Sequence, residues 1–369
     1  MNYLIEQQSQ LKELEPLFSS LSIESGTVSV DTEFFREKTY SAKLCLVQLG
    51  IGDDQYCIDV LQIEDLTLLR DLFSNPNVLK LFHAARQDME VIYQNFGVLP
   101  QPIFDTQLAA AFCGSDMQIG YGNLVLERLD IDLPKTQSRT DWSKRPLTPE
   151  QFEYAGDDVA YLYALYQQAL EDLTSANKLD WYQQEIETYY DVGLYVIEPE
   201  KAYRRLSGGG LKISQQYVLK AMAQWREEVA QKRDIPRTWV LRDDKLFDLA
   251  VTRPKTEQAV KDMNVFTKKT AKYYSADIAK LIANTKSGEE RVWRKFEPLT
   301  KVEKSFCSTL MKEVAEISKQ HKVAQALLGT RKDIESLYRN RSSKKLLKGW
   351  RENIVGNVLI DLIRQERII

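Results

Sequence analysis

The sequence predicts a mixed-sheet α/β domain followed by an all-helical half, and three observations carry this expectation. Over residues 1–200, short β-branched runs of alternating polarity are interleaved with leucine-rich helical ones, the pattern of a sheet flanked by helices. Over residues 201–369 strand-like alternation almost vanishes. The charge divides at the same place. Residues 1–200 carry 13 Lys and Arg against 33 Asp and Glu, and residues 201–369 carry 37 against 20. A chain of net charge −3 is thus an acidic half of −20 joined to a basic half of +17. Such asymmetry implies different partners for the two halves. Metal ions for the first and a polyanion for the second answer both at once.

Each element has its own signal. "GTVSVDTEF" (26–34) reads as a strand by β-branched content and alternation. "KLCLVQLGIG" and "DQYCIDV" follow at hairpin spacing, with turn residues from Gly50 to Asp54. "IEDLTLLRDLFSNP" places leucines at helical spacing and stops at Ser-Asn-Pro. "VLKLFHA" (78–84) is a fourth strand and residues 85–96 a helix. "FDTQLAAAFCG" is a helix capped by Asp105 and ended by Gly114. "EYAGDDVAYLYALY" (153–166) is expected as one helix, with Tyr161, Leu162 and Leu165 in the core. "LSGGG" (206–210) opens the helical half as a turn or linker. That half holds a faint repeat. "EEVAQKRDIPRTWVLRDDKLFDLA" (227–250) with "KKTAKYY" (268–274) pairs with "KEVAEISKQHKVAQALLGTRKDIESL" (312–337) and "KKLLKGW" (344–350), aligned on E-V-A and on K-K-x-x-K.

Composition excludes several classes. A hydrophobic content of 43% with 28% charge is that of a soluble globular chain. No apolar run approaches membrane-spanning length, and "MNYLIEQQSQ" carries no basic start leading into an apolar run. Cys45, Cys57, Cys113 and Cys307 are scattered without a C-x-x-C pair, which argues against a disulfide framework or a cysteine zinc site. A reducing cytoplasm is the expected location.

The acids carry the chemistry. Side chains two apart on a strand share a face, so Asp31 and Glu33 stand together at the end of a core strand. Like charges that close require a positive object between them. His83 ends the fourth strand and Asp88 lies on the helix after it. Tyr154 and Asp158 are four apart, on one helix face. Four carboxylates, Asp31, Glu33, Asp88 and Asp158, can converge, and they suit Mg²⁺ or Mn²⁺, hard cations that prefer oxygen. Two such ions about 4 Å apart clamp the attacking and leaving oxygens of a phosphodiester.

D-T-E in the first strand, H-A-x-x-x-D in the middle and Y-A-x-x-D-V on a late helix resemble the three motifs of the DEDDy 3′–5′ exonucleases, which have a ribonuclease H-like fold. The fuller resemblance is to the ribonuclease D family, through "LPQPIFDTQLAAAFCG", "SRTDWSKRPLTPEQFEYAGDDVAYL" and "WREEVAQKRDIPRTWVLRDD". The last of these is similar to the start of an HRDC domain. The resemblance implies an exonuclease domain over 1–200, a first HRDC domain over 211–288 and a second HRDC-like domain over 295–369.

It also implies roles. Asp31, Glu33 and Asp158 would hold the first metal. Asp31 would bridge to the second, supported by Asp88, and Tyr154 would orient the attacking water. A tyrosine with an ordinary pKa near 10 is a poor base at neutral pH, so Tyr154 is assigned positioning. Thr32, Phe34, His83 and Arg145, with the "TDWSKRP" loop (140–146), are expected to line the pocket for the terminal nucleotide. The implied activity is trimming of RNA 3′ ends, transfer RNA precursors with 3′ extensions above all, with release of 5′-mononucleotides by a monomer that binds no membrane. Two alternatives stand beside it: a DNA 3′–5′ exonuclease, and a non-catalytic nucleic-acid-binding scaffold built on the +17 half.

Overall fold

The computed structural model describes all residues except Ser25, Lys135, Thr136, Ser138, Arg139, Phe296 and 367–369. Ser138 and Arg139, which open one of the motifs quoted above, therefore lie outside the described residues. Contacts divide the chain into two compact units, one of Met1–Phe35, Leu44–Val192 and Leu299–Ile369, the other of Arg36–Lys43 and Gly193–Pro298.

The first unit is built on a six-stranded mixed sheet: β1 Asn2–Ile5, β2 Thr27–Phe35, β3 Lys43–Ile51, β4 Asp54–Ile58, β5 Leu79–Phe82 and β6 Ile103–Asp105, in the order β1-β4-β3-β2-β5-β6. The expected hairpin is present, with β3 and β4 antiparallel and Ile51 opposite Asp54. β1 runs parallel to β4, and β2 and β6 parallel to β5. β1 and β6 are strands that the sequence pattern does not announce. With four and three residues they are too short to show alternation. The register pairs Thr27–Ser29 with Leu79–Leu81. Asp31 and Glu33 thus lie beyond this pairing, at the carboxyl end of β2.

Two helices bring further acids to that end. Arg86–Phe96 follows β5, and Pro149–Ala160 follows the Thr140–Leu147 loop. The second starts with a capping box in which the Thr148 hydroxyl accepts from the Gln151 amide and the Gln151 side chain accepts from the Thr148 amide. Two glycines let it lie close on the sheet. A Cβ at Gly50 of β3 would come within 3.0 Å of the Val159 carbonyl, and one at Gly156 within 2.3 Å of the Asn2 amide, which bonds to Phe152 O at 2.9 Å. A larger residue at Gly50 would press on the helix backbone at Val159, and one at Gly156 would displace the Asn2 side chain from its bond to Phe152 O.

The helix expected over 153–166 is two. Pro149–Ala160 ends at Tyr161, and Leu162–Ser175 begins after it. In an unbroken helix the Tyr161 amide would donate to Asp157 O. The Tyr121 hydroxyl instead donates to Asp157 O at 2.9 Å and accepts from the Tyr161 amide at 3.1 Å. A side chain inserted in the backbone ladder is a recognised cause of such a break.

The sequence pattern sets 295–369 apart, and in the structure Leu299–Ile369 packs within the first unit. Trp350 stacks on Trp181 at 5.2 Å, Arg351 pairs with Glu185 at 2.6 Å, the Ala324 amide donates to Ala111 O, and Lys178 Nζ bridges the carbonyls of Phe112 and Lys322.

The second unit is helical around a core that includes Leu219, Met222, Leu246, Leu249 and Ile278. Residues 36–43 belong to it: the amides of Tyr40 and Ser41 donate to Asp234 Oδ1, and the Tyr40 hydroxyl donates to Glu227. The internal repeat is visible element by element. Ile213–Arg233 matches Lys301–His321, Arg237–Val240 matches Gln325–Leu328, and Asp243–Thr252 matches Arg331–Asn340, so each second element starts 88 residues after its counterpart. The left-handed caps repeat too, Asp234 with Lys322 and Arg253 with Arg341. This corrects the register read from sequence. E-V-A at 228–230 and at 313–315 are 85 residues apart, and the two K-K-x-x-K runs are not equivalent. The first opens the helix Lys268–Asn284, and the second lies in turns before the helix Asn357–Glu366. Helical sequences offer many such chance matches, whereas caps and helix lengths fix the register.

Candidate active site

The end of β2 gathers the acids. Carboxylate oxygens of Asp31, Glu33 and Asp158 all lie within 4.8 Å of one another. Asp88, 7% exposed, is tied to the same strand, since the Thr32 hydroxyl donates to its Oδ1 at 2.6 Å. Gln48 on β3 reaches Asp31 Oδ2 at 3.4 Å. Among the described residues no Lys or Arg forms an ion pair with any of the four.

The electrostatic consequence is strain on ionisation. Burial, followed by the charges of Asp88, Asp158 and Glu33, raises Asp31 well above the usual carboxylate range. Burial and the neighbouring acids push Glu33 up to about 9 and Asp158 up to about 8, against a hydrogen bond from Tyr154 that holds Asp158 down. Burial pushes Asp88 up to about 7 although its bond from Thr32 opposes the rise. Four oxygen-donor side chains that resist carrying their charges without a cation are a donor set fitted to a divalent metal. Tyr154 is raised far above its ordinary value, first by burial and then by Asp158, so it stays protonated at neutral pH. Its ring lies 6.2 Å from Trp142, which is 2% exposed. A cavity of about 320 Å³ adjoins the acids, lined by Tyr121, Asn123, Leu133, Pro134, Tyr154 and Asp158 among others.

The structure brings together Asp31, Glu33, Asp88, Tyr154 and Asp158. It commits three of the residues expected to touch substrate to other partners. Thr32 gives its hydroxyl to Asp88. His83 Nε2 faces the carbonyl of Ile119 at 2.9 Å and must carry a proton, leaving Nδ1 to the Thr106 hydroxyl at 2.9 Å. Arg145 spends five hydrogen bonds on Asp59 and on the carbonyls of Trp142, Lys144 and Cys45, which exhausts a guanidinium. Phe34 is partly buried on β2. Within the "TDWSKRP" loop, Trp142 joins Cys45, Leu46, Cys57 and Ala155 in a core cluster against which Tyr154 rests, while Lys144 is exposed. Sequence reasoning missed Tyr121 and the two glycines. Gly156 did leave a sign, since a glycine inside a helical pattern costs about 1 kcal/mol against alanine.

Comparison with known proteins agrees with this architecture. The 3′–5′ exonuclease family matches residues 4–174, and the HRDC domain family matches residues 215–282. Fold and site thus define a 3′–5′ exonuclease of mixed α/β, ribonuclease H-like fold followed by a helical HRDC region. Ribonuclease D of Nitrobacter hamburgensis is 37% identical over 341 residues, which cover 91% of this chain and 89% of that protein. Ribonuclease D of Zymomonas mobilis is 35% identical over 362 residues, covering 95% and 92%. The crystal structure of Escherichia coli RNase D, an exoribonuclease involved in structured RNA processing, aligns over 99% of both chains with a TM-score of 0.86 at 28% identity. The chain belongs to the ribonuclease D family and is an exoribonuclease, a phosphodiester hydrolase; the exonuclease family depends on divalent metal, and the acidic cluster here offers the oxygen ligands for one.

Proposed function

We propose that this chain trims the 3′ ends of precursor transfer RNA, removing nucleotides one at a time as 5′-mononucleotides with two divalent ions, Mg²⁺ or Mn²⁺, at the Asp31 site. The observation that carries the reading is the cluster of Asp31, Glu33 and Asp158 within 4.8 Å, with Asp88 bound to the intervening Thr32. Asp31, Glu33 and Asp158 would hold the first ion, and Asp31 and Asp88 would serve the second. Divalent cations bound there supply charge neutralisation and Lewis acidity to the scissile phosphodiester. Tyr154 keeps its proton and orients the attacking water by hydrogen bonding. The adjoining cavity of about 320 Å³ takes the terminal nucleoside, with Tyr121 and Phe34 as candidate apolar contacts.

The basic residues beyond 200 contact phosphates distant from the cleaved end, which suits a folded RNA recognised by backbone and shape. Residues 1–200, 211–288 and 295–369 are assigned as the exonuclease, a first HRDC domain and an HRDC-like second domain. The 88-residue correspondence of helices and caps supports the last assignment. No helix among the described residues is long and apolar enough to cross a membrane, and the enzyme is assigned to the cytoplasm as a monomer. Family membership favours RNA over the DNA-exonuclease alternative, and the complete acid set argues against a non-catalytic scaffold. Incubating the purified protein with 3′-extended transfer RNA and Mg²⁺ or Mn²⁺, with single-stranded DNA as competitor, tests the reading. Release of 5′-mononucleotides from the RNA is expected. Release of oligonucleotides, or preference for the DNA, would overturn it.

A further inference from the structure

Tyr121 lies 37 residues before Asp158 in the chain, yet its hydroxyl sits inside the helix turn that carries that acid. It donates to Asp157 O and accepts from the Tyr161 amide, taking the place of the direct Asp157–Tyr161 backbone bond. Two hydrogen bonds in series thus stand where a regular turn has one, and the Tyr161 amide also faces Val159 O. Asp158 and Val159 lie within this turn, and an Asp158 carboxylate oxygen lies within 4.8 Å of those of Asp31 and Glu33. Tyr121 is itself fixed. His83 meets its ring edge-to-face at 5.6 Å, and His83 Nε2 and Gln107 Nε2 both donate to the carbonyl of Ile119, two residues before it. Thus a residue at the end of β5 and one on the helix after β6 both anchor the splice.

We propose that Tyr121 is a positioning residue for the metal ligand Asp158: its hydroxyl holds open the Asp157–Tyr161 turn and so sets the distance of the Asp158 carboxylate from Asp31 and Glu33. This rests on the metal-site reading given above. Without the hydroxyl, the Tyr161 amide closes on Asp157 O, the helix continues through Tyr161 and the Asp158 carboxylate turns away from its two partners. His83 and Gln107 act one step further out by holding Tyr121. In this role the His83 ring serves the site without touching substrate.

The test compares Mn²⁺ binding by the full chain, measured by calorimetry, for wild type, Y121F, D158A and Y121F/D158A. Thermal midpoints in EDTA and turnover of a short unstructured RNA across Mn²⁺ concentrations are recorded beside it. Y121F is expected to weaken Mn²⁺ binding about 10–100-fold, the usual effect of removing a group that orients a ligand, and excess Mn²⁺ should restore its turnover. In the D158A background, where the oriented group is already gone, Y121F should weaken binding no further. The D158A background is also relieved of like-charge crowding, so it carries the test even where Y121F alone melts too low to assay. Unchanged Mn²⁺ binding in Y121F, an additive loss in the double variant, or a turnover defect that excess Mn²⁺ leaves in place would each overturn the proposal. A wild-type chain that binds no Mn²⁺ would instead overturn the metal-site reading itself.

Discussion

The Thr32 hydroxyl donates to Asp88 Oδ1 across 2.6 Å, joining the strand that carries Asp31 and Glu33 to the helix Arg86–Phe96. Thr32 points to the opposite face of β2 from its two acidic neighbours, by the alternation of a strand. The bond therefore fixes a fourth carboxylate relative to the other three without competing for them. It is short, as expected for a hydroxyl donating to an ionisable carboxyl, and it opposes the rise that burial imposes on Asp88.

Thr32→Val keeps the shape and removes the donor. The expected result is a fall in kcat of about 10–100-fold, as for other residues that orient metal ligands, with little change in KM for a short RNA. Steady-state kinetics on an unstructured oligonucleotide distinguish this from direct binding of substrate. A raised KM at unchanged kcat would return Thr32 to the substrate pocket.

Asp31→Ala, Glu33→Ala, Asp88→Ala and Asp158→Ala are each expected to abolish turnover while raising the thermal midpoint measured in EDTA. Each removes a group that repels its neighbours when no cation is present, and relief of about 1 kcal/mol moves the midpoint by roughly 2–4 °C in a unit of this size. A variant that keeps near-wild-type turnover leaves the site. A variant that melts lower in EDTA lacks a group whose packing or hydrogen bonds outweigh its repulsion.

Burial of these acids, together with their crowding, sets a pH dependence. Unfolded Asp and Glu titrate near 4, whereas in the folded chain Asp88, Asp158 and Glu33 are pushed up to about 7, 8 and 9. Between those limits the folded state holds protons that the unfolded state has lost. Stability of the metal-free protein therefore falls as pH rises from about 4 towards 9. In EDTA the midpoint should be lower at pH 8.5 than at pH 5.5, by about 5 °C or more. Mg²⁺ or Mn²⁺ should recover most of the difference at pH 8.5 and little at pH 5.5. Melting curves over this range check it; parallel pH profiles with and without metal would refute the shared-site interpretation.

Tyr154→Phe should lose on the order of 10²–10⁴-fold in turnover, the range typical of a missing proton-handling or water-orienting group, while calorimetry shows Mn²⁺ bound nearly as before. The pH–rate profile adds a constraint. Tyr154 is held protonated by burial and by Asp158, so the alkaline limb of wild-type activity should show no tyrosine ionisation, and Y154F should leave the shape of that profile unchanged. An alkaline limb that disappears in Y154F would make the tyrosine a base after all.

Much of this site was legible in sequence because its parts are local. Two acids on one strand face, and a tyrosine and an acid four apart on a helix, follow from the periods of strand and helix alone. The β3–β4 hairpin was legible for the same reason. What stayed hidden depends on partners far along the chain. Arg145 is expected from sequence to line the nucleotide pocket, but its partner Asp59 lies 86 residues away. The break at Tyr161 comes from a hydroxyl 40 residues upstream, and nothing between 153 and 166 announces it. The repeat was legible in kind and wrong in register, because identical triplets recur by chance in helices while caps reveal themselves only in φ and ψ.

The two K-K-x-x-K runs looked alike in sequence and differ in the structure, which gives the final prediction. Lys268, Lys269 and Lys272 are exposed on the helix Lys268–Asn284, with Tyr273 beside them 59% exposed, and none of the three forms an ion pair among the described residues. In the second run, Lys345 donates to Ala326 O at 3.0 Å and lies 3.7 Å from Asp333. It supports the fold of its region. If the basic half grips distant phosphates, the triple variant K268Q/K269Q/K272Q should weaken binding of a structured transfer RNA precursor far more than binding of a short oligonucleotide. Removing one lysine–phosphate pairing flattens the dependence of log affinity on log salt by about 0.7–0.9, hence by roughly 2–3 for all three. K345Q should instead lower the thermal midpoint and leave the salt slope close to that of wild type. Binding titrations of both variants at several salt concentrations, using a catalytically dead Asp31→Ala background to keep the RNA intact, measure this directly. Equal slopes for the triple variant and its parent would mean that these exposed lysines only solvate the helix and do not contact the RNA.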